Sequence, residues 1–428
     1  MIDLLLISVN CERTPYPVFP VGVWVLSAYL TRLGFSVEVA DLNLMAGLDE
    51  LEEKFLNRKS YRFIGLSVRN IDNLSWPDSV SYLPEIRACV ERVKKVQPVE
   101  RIVIGGAGYS IFGQALLDEL GLVHGLCGEG EQALARLLGA SGPLPPLDYS
   151  YARETPAEVL QTYYRLSGMM GLQTRRGCPL HCDYCTYPAI EGNCFRLRPV
   201  ESVVDEMTYL ASIGIEVFYV VDCLVNLPTA YTLSLLDALA ELPPRVRWYG
   251  FASPDRLDEP FVERLLQGHC AGLEIGSESG SDRVLRAMRK TFGTEDILRA
   301  SETCRALHLK FCHYLMLGEP EEDEASVRES MELMDRCDPS TVIISVGIRL
   351  YPNTPLRVAY QADYPTDASL LPPIFLQPPK IGLPDILSLC KKLARKTWIY
   401  PGVTGSMDAS QMDYLRARGI KGPLWDYL

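Results

Sequence analysis

The sequence predicts an α/β protein: an N-terminal doubly wound, Rossmann-like domain, then a partial (β/α)6 TIM-type barrel, then a small C-terminal segment. Three observations carry this expectation. Short β-rich runs alternate with helix-period stretches over residues 3–139, a proline-rich break follows at 141–150 (SGPLPPLDYS), and a second alternating series runs from 171 to 348.

In the first series DLLLIS (3–8), SVEVA (36–40), FIGLSV (63–68), RIVIG (101–105) and LVHGL (122–126) read as strands. Between them, residues 21–33, about 84–95, 112–120 and 130–139 carry helical spacing. Strand and helix in strict alternation give a parallel sheet covered on both faces. The break closes this domain near residue 145, and 146–170 is expected to be a linker. The second series opens with GLQTR at 171 and continues through EVFYVV, VRWYGF, AGLEIG, KFCHYLML and TVIISVGI, with helices between. Six βα units are too few to close an eight-stranded barrel, so an open barrel is expected over 171–370, its site at the strand C-terminal ends. Residues 371–428 have weak periodicity and several prolines and read as a cap or accessory segment.

Composition narrows the function. The chain has 428 residues, 47% hydrophobic and 22% charged, enough for a substantial core. Its formal charge is -12, and no basic run of five residues occurs, which argues against wrapping nucleic acid. A small-molecule or peptide substrate is the expectation. No stretch approaches eighteen uninterrupted apolar residues and the N-terminus lacks a basic leader, so no membrane partner and a cytoplasmic location are expected. Thirteen cysteines, an odd and scattered set, do not form a secreted disulfide framework.

Three of those cysteines carry chemistry. In RRGCPLHCDYCTY, Cys178, Cys182 and Cys185 form a C-x3-C-x2-C set directly after the first barrel strand. A loop there can wrap an iron-sulfur cluster with its thiolates pointing inward, and three ligands leave one iron open. The competing reading is a zinc site with His181, but zinc sites pair two C-x-x-C halves and no second half follows at suitable spacing.

With an aromatic just before the last cysteine, this motif resembles the signature of the radical S-adenosylmethionine (SAM) superfamily. GLEIGSESGSDRVLRAMRK (272–290) and YLMLGEPEED (314–323) resemble that superfamily's segments at the fifth and sixth strands, with Glu319 and Glu321 as departures from the usual pattern. The resemblance implies a 4Fe-4S cluster, SAM bound at its open iron, and an electron donor such as flavodoxin or ferredoxin. It also implies that Tyr184 backs the adenine, while Glu278, Asp222 and Ser253 lie near the SAM amino or ribose groups and Arg349 or Tyr351 reaches SAM or substrate. Helix capping or an ordinary satisfied loop carboxylate would explain the same residues. The extra cysteines, notably Cys194, Cys223 and Cys312, could be catalytic or ligate a second cluster, yet they have no ligand-type spacing and most read as buried small hydrophobes; His313 reads as a core residue.

The loops at the strand ends of the first domain are FPVGVW (19–24), LSVRNIDN (66–73), IGGAGYSIFG (104–113) and CGEGEQ (127–132). Gly105, Gly106 and Gly108 let backbone approach a ligand, whereas the absence of G-x-G-x-x-G disfavours a nicotinamide cofactor. Together with the cysteine motif, these loops resemble the cobalamin-binding radical SAM class. That resemblance implies a cobalamin between the domains, touched by Ser67, Arg69, Gly105, Gly106, Gly108 and Tyr109. No D-x-H-x-x-G occurs, so a histidine below the cobalt is not expected; Arg69 either stands under the corrin or pairs with Asp72 or an amide at the rim. The implied activity is methylation of a substrate carbon through a deoxyadenosyl radical and methylcobalamin. Non-methylating radical chemistry on the same scaffold (rearrangement, dehydration, cyclisation or 3-amino-3-carboxypropyl transfer) is the alternative, and a non-catalytic carrier or sensor a third.

Overall fold

The computed structural model describes residues 1–360, 369–395, 398–401, 403 and 409–427. Residues 361–368, at the end of the expected barrel segment, lie outside the described residues.

The first sheet comprises β1 (Ile2–Ser8), β2 (Val37–Asp41), β3 (Tyr61–Ser67), β4 (Ile102–Gly105) and β5 (His124–Gly125), in the order β2-β1-β3-β4-β5. All its pairings are parallel. The strand order reverses beside β1, and in open sheets that switch point opens a crevice at the strand C-terminal ends. Leu5, Ile7, Ile64, Leu66, Ile102 and Ile104 fill one side of the sheet, Leu4 and Leu6 the other. The sequence expectation overestimates β5, which keeps only two residues, and reads as loop the residues that form helix Ala107–Phe112, which Gly113 separates from the expected helix, here Gln114–Leu120.

The expected linker over 146–170 holds a helix, Ala157–Ser167, which buries Leu160 and Tyr163 against the barrel. Six strands then form the second sheet: β6 (Met170–Leu172), β9 (Val217–Val220), β10 (Arg247–Ala252), β11 (Cys270–Glu278), β12 (Lys310–Leu317) and β13 (Thr341–Val346). They lie side by side in chain order, all parallel, as an open barrel requires. A separate antiparallel hairpin, β7 (Arg175–Arg176) with β8 (Arg196–Leu197), brackets the cysteine loop.

The C-terminal segment is more than a cap. Ile399 bridges in parallel to Ile343, adding to the β13 edge, and Trp398, Tyr400, Leu424 and Trp425 are buried. The two domains also share cores. Trp24, Val25 and Ala28 of helix Val21–Arg32 belong to the barrel core, whereas Leu370 and Leu371 belong to that of the first domain.

Candidate active site

The cysteine loop leaves β7 through Gly177, whose φ is +86° and where a Cβ would lie 2.1 Å from the Cys194 carbonyl oxygen, so only glycine permits the crossing. The Cys178 N–H donates to the Gly192 carbonyl at 3.1 Å. Further along, the Asp183 N–H donates to Met288 O (3.3 Å), and the Leu356 N–H donates to Asp183 O (2.9 Å). The loop is thereby pinned to segments that follow β11 and β13. Cys178 is buried, Cys182 and Cys185 are half-buried, and all three are free. A hydrogen bond from the neighbouring Cys223 thiol lowers the Cys178 thiol to about 7. Burial raises Cys182, and pushes Cys185 up to about 11 while Lys290 opposes the shift. Among the described residues no three His, Cys, Asp or Glu side chains converge on one ion. A cluster instead spreads its thiolates over separate irons, and a donor set of three free thiols on one pinned loop fits it.

Beside this loop the Tyr184 hydroxyl donates to Glu278 Oε1 at 2.9 Å, and Lys290 Nζ stands 2.7 Å from the Tyr184 oxygen and 2.9 Å from the same carboxylate oxygen. Tyr184 and Glu278 are therefore brought together next to the cysteines. The sequence reading missed Lys290, which closes the same 272–290 motif that points to Glu278. The group offers a fixed carboxylate acceptor for an amine or a ribose hydroxyl, backed by a phenol and an ammonium.

Three other expected SAM residues are engaged elsewhere. Asp222 accepts from the Thr174 N–H (2.8 Å) and hydroxyl, the Arg175 N–H (3.3 Å) and Arg175 Nε (3.0 Å), deep in the protein. Burial raises its pKa while Arg175 opposes, and its acceptor positions are filled by protein. The Ser253 hydroxyl donates to Asp255 (2.6 Å), and Ser253 and Asn226 exchange two further hydrogen bonds. Tyr351 lies between the Arg349 guanidinium, 4.5 Å from its ring, and Phe112 of the first domain, 6.1 Å between centroids. It joins the domains, packing against the core of the first one.

At the C-terminal ends of β1, β3 and β4 lies a cavity of about 390 Å³. Its inner end is apolar, lined by Leu6, Leu26, Gly65, Val103 and Leu134, and its mouth carries Ser67, Arg69, Gly105 and Gly106 together with Gln173, Arg176 and Glu191 from the barrel. Gly106, at φ +92°, has no room for a side chain, since a Cβ would meet Val68 O at 2.6 Å. Gly108 serves packing: its N–H donates to Val68 O and a Cβ would strike the Val68 side chain. Tyr109 turns away into the core, its ring against Gly125, and does not line the cavity. Arg69 has no hydrogen-bond or ion-pair partner among the described residues, and desolvation lowers its pKa. Asp72 pairs instead with Arg349, at 2.6 Å.

An apolar slot beneath a polar mouth fits the nucleotide tail and amide-bearing rim of cobalamin, and the orphaned Glu131 Oε2 at the mouth is a buried acceptor that an occupant would satisfy. Fold and site together define a two-domain enzyme with a cysteine-loop barrel facing a cofactor-binding α/β domain. Residues 7–138 match the B12 binding domain, and residues 172–334 match the radical SAM superfamily. The chain belongs to the cobalamin-binding radical SAM enzymes.

Among its relatives, tryptophan 2-C-methyltransferase of Streptomyces laurentii is 24% identical over 80% of this chain and 72% of that protein. Bacteriochlorophyllide d C-12(1)-methyltransferase of Chlorobaculum tepidum is 26% identical, over 45% of this chain and 41% of its own length. The radical SAM methyltransferase TsrM of Kitasatospora setae, solved with cobalamin and a [4Fe-4S] cluster, superposes with a TM-score of 0.87 at 22% identity, covering 100% of this chain and 97% of that one. The cobalamin-dependent radical enzyme OxsB gives a TM-score of 0.69 at 16% identity, over 89% and 65% of the two chains. These structural matches establish the shared fold. Among the described residues no helix is long and apolar enough to cross a membrane.

Proposed function

We propose that this enzyme is a cobalamin-dependent radical SAM methyltransferase acting on a carbon of a small-molecule or peptide substrate. The observation that carries the reading is the shared wall of the cavity: Gln173, Arg176 and Glu191, from the segment that holds the cysteines, line the same space as Ser67, Arg69 and Gly105. Two of its relatives are named as methyltransferases. When bound, the cluster with SAM supplies one-electron cleavage of a carbon–sulfur bond, and cobalamin relays a methyl group.

The chain's own residues hold and orient these groups. Cys178, Cys182 and Cys185 hold the cluster, and Tyr184, Glu278 and Lys290 offer the SAM-facing polar group. Ser67, Gly105 and Gly106 form the cobalamin-side rim. Arg69, without a hydrogen-bond or ion-pair partner among the described residues, would face the corrin from the first domain, and a guanidinium there would not ligate the metal. The electron comes from a flavodoxin- or ferredoxin-like donor, and thirteen free cysteines suit a reducing, cytoplasmic setting.

The test is anaerobic reconstitution with iron, sulfide and hydroxocobalamin, followed by desalting and metal analysis. About four irons and one cobalamin per chain are expected. Cys178→Ala should lose iron and keep cobalamin, and wild type should transfer label from methyl-labelled SAM to cobalamin. Retention of iron without cobalamin would overturn the methyltransferase reading.

A further inference from the structure

Glu131 opens helix Glu131–Leu137 at the cavity mouth and is 3% exposed. Its Oε1 pairs with Arg176 Nη1 at 2.8 Å, whereas Oε2 is buried without a hydrogen-bond partner. An unshared carboxylate oxygen sealed from water is costly, and it is tolerated where an occupant supplies the missing donor. The charge of Glu131 is already balanced by Arg176, so the vacant requirement is for a neutral N–H or O–H. A cationic donor would meet Arg69, Arg176 and Arg196, and a second carboxylate would meet Glu129, which itself takes Arg176 (3.1 Å) and Arg196 (3.2 Å).

We infer that Glu131 reads the corrin rim: its free oxygen accepts an N–H from one of the primary carboxamides on the macrocycle. This rests on the cavity holding cobalamin. The nucleotide tail offers a second neutral donor, a ribose hydroxyl, but the apolar slot of Leu6, Gly65 and Val103 suits the tail's base, whereas Glu131 stands beside the barrel residues Gln173 and Arg176. The contact also reaches the cluster loop. Arg176 Nε donates to Gln173 Oε1 (2.9 Å), Gln173 Nε2 to Glu191 Oε1 (3.0 Å), and the Gly177 N–H to Glu191 Oε2 (3.0 Å), one residue before Cys178. Glu131 is a specificity-determining residue for amide-bearing corrins, joined by hydrogen bonds to the cysteine loop.

The experiment measures equilibrium binding of hydroxocobalamin, and of cobinamide, which keeps the rim amides but lacks the nucleotide tail, to cluster-reconstituted protein by absorbance titration. Glu131→Ala should weaken both corrinoids by roughly ten- to a hundredfold, the loss of one charge-assisted hydrogen bond. Binding of both within threefold of wild type overturns the inference, and so does weakening of cobalamin alone, which would place the contact on the tail. If circular dichroism shows that E131A fails to fold, Glu131→Gln carries the test: about tenfold weaker binding of both corrinoids supports the inference and unchanged affinity overturns it. Wild-type protein that binds neither corrinoid would overturn the cobalamin reading on which the inference stands.

Discussion

His313 shows how single residues on the barrel strands divide between structure and chemistry. It lies wholly buried on β12 with Nδ1 2.7 Å from the Ser277 hydroxyl and Nε2 2.9 Å from the Ser301 hydroxyl, and burial lowers its pKa to about 3. In the unfolded chain it titrates near 6.5, so between about pH 3 and 6.5 the unfolded state binds the extra proton. Stability linked to His313 is therefore full above pH 6.5 and falls as the pH drops toward 3, by up to about 1.4 kcal/mol per pH unit. Denaturant unfolding at pH 7 and at pH 5 should show a larger loss in wild type than in His313→Gln, and equal losses would refute the assignment. The sequence could place His313 in the core because strand alternation is local. It could equally expose Cys178, Cys182 and Cys185, whose spacing is contiguous. Lys290 and Glu131 were not legible, because their meaning depends on partners far along the chain, 106 residues for Lys290 to Tyr184. Asp222 misled for the same reason: a carboxylate past a strand end reads as a ligand until Arg175 is seen to occupy it.

At the scale of elements, the C-terminal segment is where local pattern said least. Its helix Leu383–Leu393 buries Leu383, Ile386 and Cys390 at helical spacing, a period the sequence expectation missed, whereas Trp398 and Tyr400 are buried outside any helix. Trp425 is buried, donates from Nε1 to Glu274 at 2.8 Å and stacks edge-on with Tyr249, 5.9 Å between centroids. Burial raises the pKa of Glu274, while hydrogen bonds from Tyr219, Trp425 and Tyr314 oppose the shift. Gly272 on β11 makes the room: a Cβ there would meet Trp425 Cη2 at 2.6 Å and Lys310 O at 3.2 Å. Gly272→Ala should thus displace the tail and cost about 1–3 kcal/mol, read as a lower denaturation midpoint with altered tryptophan fluorescence. An unchanged midpoint and spectrum would show that the tail is a loose appendage. The parallel architecture of both sheets, in contrast, was legible from strand–helix alternation, because a parallel crossover leaves few arrangements. The helix Ala157–Ser167 was not, since the prolines before it suggest a linker and its buried side chains meet partners in the barrel.

Across the whole molecule the two domains are locked by an ion pair that the sequence could suggest only as a pair of loose candidates. Asp72, in the loop that carries Arg69, meets Arg349 beyond β13 at 2.6 Å, with side chains 1% and 2% exposed. The guanidinium lies over the rings of Phe112 (5.1 Å) and Tyr351 (4.5 Å), and its Nη2 donates to the Leu370 carbonyl at 3.2 Å. A buried pair in itself adds little net stability, but removing one partner strands the other charge. Arg349→Ala leaves Asp72 uncompensated and should destabilise the protein by about 3–5 kcal/mol. The loss falls on the junction, since Phe112 and Asp72 belong to the first domain and Tyr351 follows the last barrel strand. Because the domains also share apolar cores, wild type should unfold in one transition, whereas the variant should separate into two, the first accompanied by release of cobalamin while cluster absorbance persists. Calorimetry with simultaneous absorbance would distinguish the cases. A single transition at lower temperature, with cobalamin and cluster lost together, would mean that the shared cores and not this ion pair couple the two cofactor sites.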